Sequence, residues 1–244
     1  LKPIERVDCA APCPVGAAHA RGERFRPGVV IQKIELHVAS FVCLLVDVRG
    51  GRFPEGPKAI GQLPAALFLV VGDVRTSFLP IDSLNVLVTI FWVFGITNAF
   101  NLLDNMDGLC AGVAFVAGLV LLINAWSLEE IFISLILVAF MGSLFGFLVF
   151  NVQPARIFLG DCGSLFIGYL MGSLTLLERY VTHASGLLFP ILMPVLVLAV
   201  PLVDTATVMF IRLGERRPIY IGDDRHLSHR LVSLGFSERS AVRM

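Results

Sequence analysis

Five long apolar stretches constrain this chain more than any other feature of its sequence. A helix that crosses a bilayer needs about 20 mostly apolar residues, so stretches of this kind predict membrane-spanning helices. The fourth stretch is short and is expected to include flanking residues, and the fifth contains three prolines, which predict a kink. The stretches are Leu84–Ala99, Leu109–Trp126, Ile131–Phe150, Ser164–Leu177 and Leu187–Ile211.

Two weaker apolar stretches, Leu36–Val46 and Gln62–Val71, precede these five and are too short to span a bilayer alone. Charged residues make up 16% of the chain, against about 25% in soluble domains. The mean hydropathy is +0.82. Soluble core helices are the alternative for the short stretches, but five close-set apolar runs favour a membrane protein. The sequence therefore predicts an all-α, polytopic membrane helix bundle with about five clear spanning helices and one or two weak N-terminal ones.

The overall charge excludes one class of partner. Lys plus Arg and Asp plus Glu are equal at 19 each, so the formal net charge is zero. A nucleic-acid-binding protein needs an excess of basic residues to neutralise phosphates, so no nucleic acid is expected as a partner. The five cysteines are odd in number, and the chain has no recognisable disulfide framework.

The distribution of arginines predicts the orientation in the membrane. If the connection at residues 98–108 lies on one side, strict alternation places residues 151–163 and 212–230 on that same side. The connections on the other side contain only Arg179. The positive-inside rule then makes the first side cytoplasmic, and we expect a multi-pass protein of the cell inner membrane. The arginines of the first side are Arg156, Arg212, Arg216, Arg217, Arg225 and Arg230.

The first polar cluster follows the first long apolar stretch. Asn98, Asn101, Asp104 and Asp107 recur every three residues, so on a helix they form one polar stripe. Polar groups flanked by membrane helices are unfavourable without a function, and their oxygens suit Mg²⁺. One alternative is a helix end that simply meets water. Another is a calcium loop, but residues 104–108 lack the remaining ligands of such a loop.

The second cluster runs from Asn151 to Ser164. Gly160 and Gly163 flank Asp161 and predict a tight turn directly before a helix. Backbone N–H groups at a helix N-terminus favour an anion, and Asp161 can offer a carboxylate to a metal bound with that anion. Ordinary helix capping is the alternative for this turn.

The third cluster, within residues 216–230, contains Arg225, His226, His229 and Arg230. Two histidines three residues apart could bind zinc, but the cationic surroundings oppose a dication. Phosphate binding fits better, because arginine supplies forked donors and histidine a hydrogen bond or a proton. A basic loop that only sets the topology is the alternative. Together the three clusters predict acidic metal ligands and cationic phosphate ligands on one membrane face, an arrangement suited to metal-assisted chemistry on a diphosphate.

These motifs resemble the polyprenyl-phosphate N-acetylhexosamine-1-phosphate transferase family. The family includes the GlcNAc-1-phosphate transferases of envelope polysaccharide synthesis and the phospho-N-acetylmuramoyl-pentapeptide transferases of peptidoglycan synthesis. The resemblance covers residues 47–237, with the Asn/Asp run, the segment from Asn151 through Pro154 to Ser164, and the histidine loop in the family's order. It implies transfer of a sugar 1-phosphate from UDP-N-acetylhexosamine to polyprenyl (undecaprenyl) phosphate in the bilayer. UMP is released, and Mg²⁺, or Mn²⁺ in its place, is required.

The resemblance also implies roles for individual residues. Asp161 would bind the metal together with Asp104, and Asp104 and Asp107 would organise the metal and the nucleotide. His226 and His229 would contact the phosphates or the sugar, and Asp47 would be catalytic. The implied substrate-binding residues are Asn98, Asn101, Asn151, Arg156, Arg225 and Arg230.

The chain also departs from the family pattern. Val46 stands where the family has the first carboxylate of an aspartate pair, and Asp47 keeps the second. Residues 1–33 have no family counterpart and predict a disordered or out-of-register segment, followed by a partial transmembrane transferase domain at residues 34–244. A catalytically inactive fragment and a cation-coupled transporter are the alternative functions, although a transporter would show inverted repeats with matching broken helices. A homodimer is compatible with each of these functions.

Overall fold

The computed structural model describes residues 55–76, 78–178, 180, 189–215, 240 and 242, and regular secondary structure in this part of the chain is helical. Seven helices have defined bounds there. They are α1 (Glu55–Val71), α2 (Asp82–Leu103), α3 (Leu109–Ser127), α4 (Ile131–Asn151), α5 (Gly160–Leu177), α6 (Phe189–Val197) and α7 (Ala199–Gly214).

Four of these helices, α2 to α5, are long and apolar enough to cross a membrane by length and composition. They confirm the first four predicted spans. Helix α5 starts at Gly160 rather than Ser164, so the short fourth stretch does include residues from its N-terminal flank. The weak stretch Gln62–Val71 lies within α1, which contains 17 residues. The other weak stretch, Leu36–Val46, lies outside the described residues.

The fifth predicted span is divided into α6 and α7, which meet at an angle of 78°. Leu198 lies between the two helices and makes a helical backbone hydrogen bond in each direction. Its N–H donates to the Pro194 carbonyl, and its carbonyl accepts from the Leu202 N–H. Pro201 has no N–H to donate to the carbonyl of Val197, four residues earlier. The missing hydrogen bond explains why the chain breaks here rather than bending gently. Helices α6 and α7 count as a fifth span only if they are taken together.

Helix α2 lies at the centre of the described bundle, where it packs against α1, α5 and α7. Its buried positions Val93, Ile96, Phe100 and Leu103 are three or four residues apart, so they lie along one face of the helix. Helix α4 packs mainly against α3 and presents much of its apolar surface outward. Outward apolar side chains are expected of a helix that faces lipid.

The closest helix contact is between α2 and α5, and glycine makes it possible. A Cβ on Gly168 would lie 2.7 Å from the Cα of Thr97, and one on Gly172 would lie 3.5 Å from the Cα of Val93. One turn before Gly168, Ser164 Oγ accepts a hydrogen bond from Asn101. Along this contact the residue numbers rise on α5 while those of their partners fall on α2, so the two helices are antiparallel. Two small residues four apart allow membrane helices to approach at backbone distance.

The two ends of the bundle differ in character. We call one the acidic end, which comprises the α2–α3 connection at residues 104–108, the α4–α5 connection at residues 152–159 and the start of α5 at residues 160–164. We call the opposite one the far end, where Asn124 Nδ2 at the end of α3 donates to Glu178 Oε1 after α5, at 2.9 Å. The first two predicted polar clusters therefore lie at the same end of the bundle.

Candidate functional site

Two glycines shape the backbone of the acidic end. Gly108 has a φ of 78° and directly precedes α3, and Gly160 has a φ of 66° and opens α5. A positive φ is readily adopted only by glycine. Each glycine therefore lets a polar connection turn sharply into the next helix, which leaves Asp107 and Asp161 beside these turns.

Two hydrogen bonds link the α2–α3 connection to the segment that begins at Asn151, and a third holds Asn151 within that segment. The N–H of Gly108 donates to Asn151 Oδ1 at 2.9 Å, and Asn151 Nδ2 donates to the Ile157 carbonyl at 2.9 Å. The N–H of Ala155 donates to Asp107 Oδ2 at 3.2 Å. Asn151 is buried, so its bonds are protected from competing water. The two motifs, more than forty residues apart in sequence, are joined into one site.

Asn101 connects this site to the first turn of α5. Its Nδ2 donates to Asp161 Oδ1 at 3.2 Å and to Ser164 Oγ at 2.9 Å. Ser164 is fully buried, and its hydroxyl lies 3.1 Å from the Gly160 carbonyl, to which it donates. Because that hydroxyl has only one hydrogen, it presents a lone pair to Asn101. The arrangement fixes the nitrogen of the Asn101 amide toward Asp161.

Negative charge accumulates at the acidic end. Partial burial, together with the negative charges of Asp161 and Asp107, raises the pKa of Asp104 to about 6. Carboxylates that repel one another favour a bound cation, since a cation stabilises their charged forms. The charges of Asp161 and Asp107 therefore act on Asp104.

The residues present fit Mg²⁺ held partly through water. Among the described residues, no group of three or more His, Cys, Asp or Glu side chains is close enough to hold a metal ion directly. Mg²⁺ is usually bound by one or two carboxylates, with waters and substrate phosphates as its other ligands. Asp161 and Asp104 are therefore suitable ligands, and the Asn101 amide nitrogen holds Asp161 in place.

Other predicted site residues have different surroundings. Asn98 faces α1, where it exchanges hydrogen bonds with Gln62. Arg156 is exposed in the α4–α5 connection, and its backbone N–H donates to the Phe150 carbonyl at 2.8 Å. The remaining predicted site residues, Asp47, Arg225, His226, His229 and Arg230, lie outside the described residues.

Two residues that the structure connects to the predicted site, Ser164 and Gln62, had no role predicted from the sequence. Ser164 lies three residues after Asp161, and that spacing on a helix could have indicated a shared face. Gln62 begins a weak apolar stretch on another helix. A single amide before an apolar run gives no signal of its partner, because the partner is 36 residues away.

The fold and the acidic end define a multi-pass helical membrane protein with a polar, oxygen-rich site at one end of its bundle. Residues 34–178 match the family model described as Glycosyl transferase family 4, which is more than half of the chain. The chain belongs to this family. Membership favours the transferase reading of the polar clusters over the transporter.

Curated relatives agree with this assignment. The chain is 32% identical over 216 residues to a probable undecaprenyl-phosphate N-acetylglucosaminyl 1-phosphate transferase of Bacillus subtilis, covering 84% of this chain and 60% of the relative. It is 33% identical over 225 residues to a decaprenyl-phosphate N-acetylglucosaminephosphotransferase of Mycolicibacterium smegmatis, covering 81% and 55%. A phospho-N-acetylmuramoyl-pentapeptide-transferase of Levilactobacillus brevis is 43% identical over 91 residues, covering 37% and 28%. The chain thus spans 55% to 60% of the length of the first two relatives.

Proposed function

We propose that this protein transfers an N-acetylhexosamine 1-phosphate from a UDP-sugar to a polyprenyl phosphate in the membrane and releases UMP. Family membership and the names of the similar proteins support the reaction type. The observation that carries the proposal is the gathering of Asp104, Asp107 and Asp161 at one end of the bundle, where Asp107 and Asp161 both raise the pKa of Asp104.

The reaction needs little covalent chemistry from the protein. An oxygen of the carrier phosphate attacks the sugar-bearing phosphorus, a new P–O bond forms, and the bond from that phosphorus to the bridging oxygen breaks. UMP leaves with the bridging oxygen and its electron pair. Mg²⁺ held at the acidic end would neutralise the diphosphate and stabilise the leaving group.

The chain's own residues would orient the reactants. Asp161 and Asp104 would hold the cation, and Asn101 fixes Asp161 through its amide nitrogen. Asp107 accepts from the N–H of Ala155 and so keeps the two connections together around the nucleotide. Asn151 fixes the same two connections from the other side.

The cationic and remaining catalytic residues complete the proposal. Arginines bind phosphate through forked hydrogen bonds, and histidines add a donor or a proton. We assign Arg156, Arg225 and Arg230 to the substrate phosphates, His226 and His229 to the phosphates or the sugar, and Asp47 to the catalytic machinery. The same arginines support a cytoplasmic acidic end by the positive-inside rule.

A turnover assay tests the function. The protein, reconstituted with undecaprenyl phosphate and Mg²⁺, is given UDP-N-acetylglucosamine, UDP-N-acetylgalactosamine or UDP-glucose, and UMP release is measured. We expect release that depends on the carrier lipid, favours an N-acetylated sugar and stops with EDTA. UMP release that is independent of the lipid would contradict the transfer, and release that EDTA leaves unchanged would contradict the metal.

One substitution in the chain favours a second candidate, an inactive relative that still binds UDP-sugar or Mg²⁺. Val46 occupies the place of a family carboxylate. The assay is therefore run on the Val46→Asp variant in parallel. Turnover that increases in the variant identifies the missing carboxylate as a determinant of rate, whereas absence of turnover in both proteins favours the inactive relative.

A further inference from the structure

The amide of Asn98 is almost fully occupied within the protein. Its Nδ2 donates to Gln62 Oε1 at 2.6 Å and to the Phe94 carbonyl at 2.8 Å, and its Oδ1 accepts from Gln62 Nε2 at 3.3 Å. A primary amide has two hydrogens to donate, so both are used. Asn98 has no hydrogen left to donate to a substrate.

Asn101, one turn further along α2, differs in this respect. Its Nδ2 hydrogens are directed to Asp161 and Ser164, both at the acidic end. Asn98 instead joins α2 to α1, and Gln62 is itself buried. The two asparagines of one polar stripe therefore face different neighbours.

The Gln62–Asn98 pair also fixes the position of α1. Gln62 lies opposite Asn98, while Thr76, after the end of α1, bonds Thr89 on an earlier turn of α2. Helix α1 is thus antiparallel to α2, and its N-terminal end lies toward the acidic end. A further hydrogen bond joins α1 to α5, from the Tyr169 hydroxyl to the Ala65 carbonyl, at 3.1 Å.

We propose that Gln62 is a positioning residue for the acidic end, and that Asn98 acts through Gln62 rather than on the substrate. The reciprocal amide pair sets the register of α1 against α2, the helix that also holds Asn101 and leads to Asp104. Reciprocal side-chain hydrogen bonds between helices are worth most where water is scarce. The inference rests on the proposed transferase function for its kinetic readout, and a stability readout is independent of it.

The first test compares Gln62→Leu, Asn98→Leu and the double variant in the UMP-release assay. We expect either single change to lower kcat by about three- to tenfold, with KM for the UDP-sugar nearly unchanged. The double variant should be no worse than the singles, because each change removes the same pair. A raised KM in Asn98→Leu, without one in Gln62→Leu, would place Asn98 on the substrate and overturn the proposal.

Exchange of the two side chains gives a sharper test. Gln62→Asn shortens one partner and Asn98→Gln lengthens the other, so the double exchange restores the total length of the pair. We expect each single exchange to impair turnover and the double exchange to restore most of it. If Asn98→Gln remains impaired after Gln62→Asn is added, Asn98 acts independently of Gln62 and the proposal is wrong.

Thermal unfolding in detergent separates this proposal from the proposed function. The Tm of the double Leu variant should be no lower than that of the single Leu variants, and the double exchange should restore most of the Tm lost in the single exchanges. Both results are expected whether or not the protein turns over. Ser143→Ala serves as the control, because the exposed Ser143 hydroxyl donates within its own helix, to the Ala139 carbonyl. If no variant turns over but the Tm shifts of the single variants do not add in the double variant, the transferase proposal is refuted and the Gln62–Asn98 proposal stands. If the Tm shifts of the single variants add in the double variant, the Gln62–Asn98 proposal is refuted.

Discussion

At the scale of single residues, Glu178 is the most perturbed carboxyl at the far end. It is only 5% exposed. Its pKa is raised to about 7 because burial, with a smaller effect of the Glu130 charge, outweighs the lowering by the hydrogen bond from Asn124. The Tyr180 hydroxyl also lowers this pKa. Glu178 is therefore largely protonated at mildly acidic pH while the bundle is folded.

Glu178→Gln tests this environment through the pH dependence of stability. The folded-state pKa lies above the ordinary value of 4.5, so the stability that protonation contributes is complete below that value and is lost as pH rises through about 7. Glutamine is neutral at every pH and keeps an oxygen for Asn124. We expect the variant to have a higher Tm than the parent at pH 8.5 and a nearly equal Tm at pH 5. A Tm difference that does not change with pH would contradict the buried carboxyl.

The same scale shows how far the sequence predicts individual site residues. The three-residue spacing of Asn98, Asn101, Asp104 and Asp107 predicts one helical stripe, but α2 ends at Leu103. The prediction is therefore right for the two asparagines and wrong for the two aspartates, which lie in the connection that follows the helix. The spacing does not predict that Asn98 turns to Gln62 while Asn101 turns to Asp161, because that division depends on which helices flank α2. Side-chain partners on other helices are a property of packing, not of spacing.

At the scale of elements, the α2–α5 contact is the interaction that positions Asp161. Gly168→Ala would place a methyl group 2.7 Å from the Cα of Thr97 and 2.9 Å from its carbonyl oxygen. Backbone cannot rotate aside, so the helices must separate, and overpacking of this kind typically destabilises by about 1–3 kcal/mol. We expect a lower Tm and reduced UMP release, because Asn101 and Asp161 lie on the two helices that move.

Gly146→Ala is the matched control for this change. Gly146 lies on the outward face of α4, and among the described residues nothing lies within 4 Å of a Cβ placed there. Alanine has a higher helix propensity than glycine by up to about 1 kcal/mol, so the control should be neutral or slightly stabilising. Equal loss of Tm in both variants would show that the α2–α5 approach has no special role.

Whole helices were predicted better than the contacts between them. Apolar length was enough for α2 to α5, because a bilayer requires spans of about 20 residues. The three prolines of the last span indicated a bend, but its angle of 78° depends on where the hydrogen bonds fail. The meeting of the two polar connections through Asn151 required the fold, since the bonds join residues 43 apart.

At the scale of the whole molecule, the arrangement of connections predicts accessibility in cells. Ser127, the last residue of α3, lies at the far end, and Arg156 lies at the acidic end; both are exposed. If the acidic end is cytoplasmic, an impermeant thiol reagent should label Ser127→Cys in intact cells and Arg156→Cys only after permeabilisation, each compared with the parent. Labelling of Arg156→Cys in intact cells would invert the proposed orientation.

The central claim is that the acidic end performs phosphoglycosyl transfer, and UMP release by Asp161→Asn tests it most directly. Asparagine keeps the size and one oxygen but removes the charge that would hold the cation, so the drop should exceed about a hundredfold. Asp73→Asn is the control, since this exposed carboxylate lies in the α1–α2 connection beside Arg75, at 3.3 Å. We expect turnover near the parent's for Asp73→Asn and almost none for Asp161→Asn at equal expression. Full turnover by Asp161→Asn would contradict the claim.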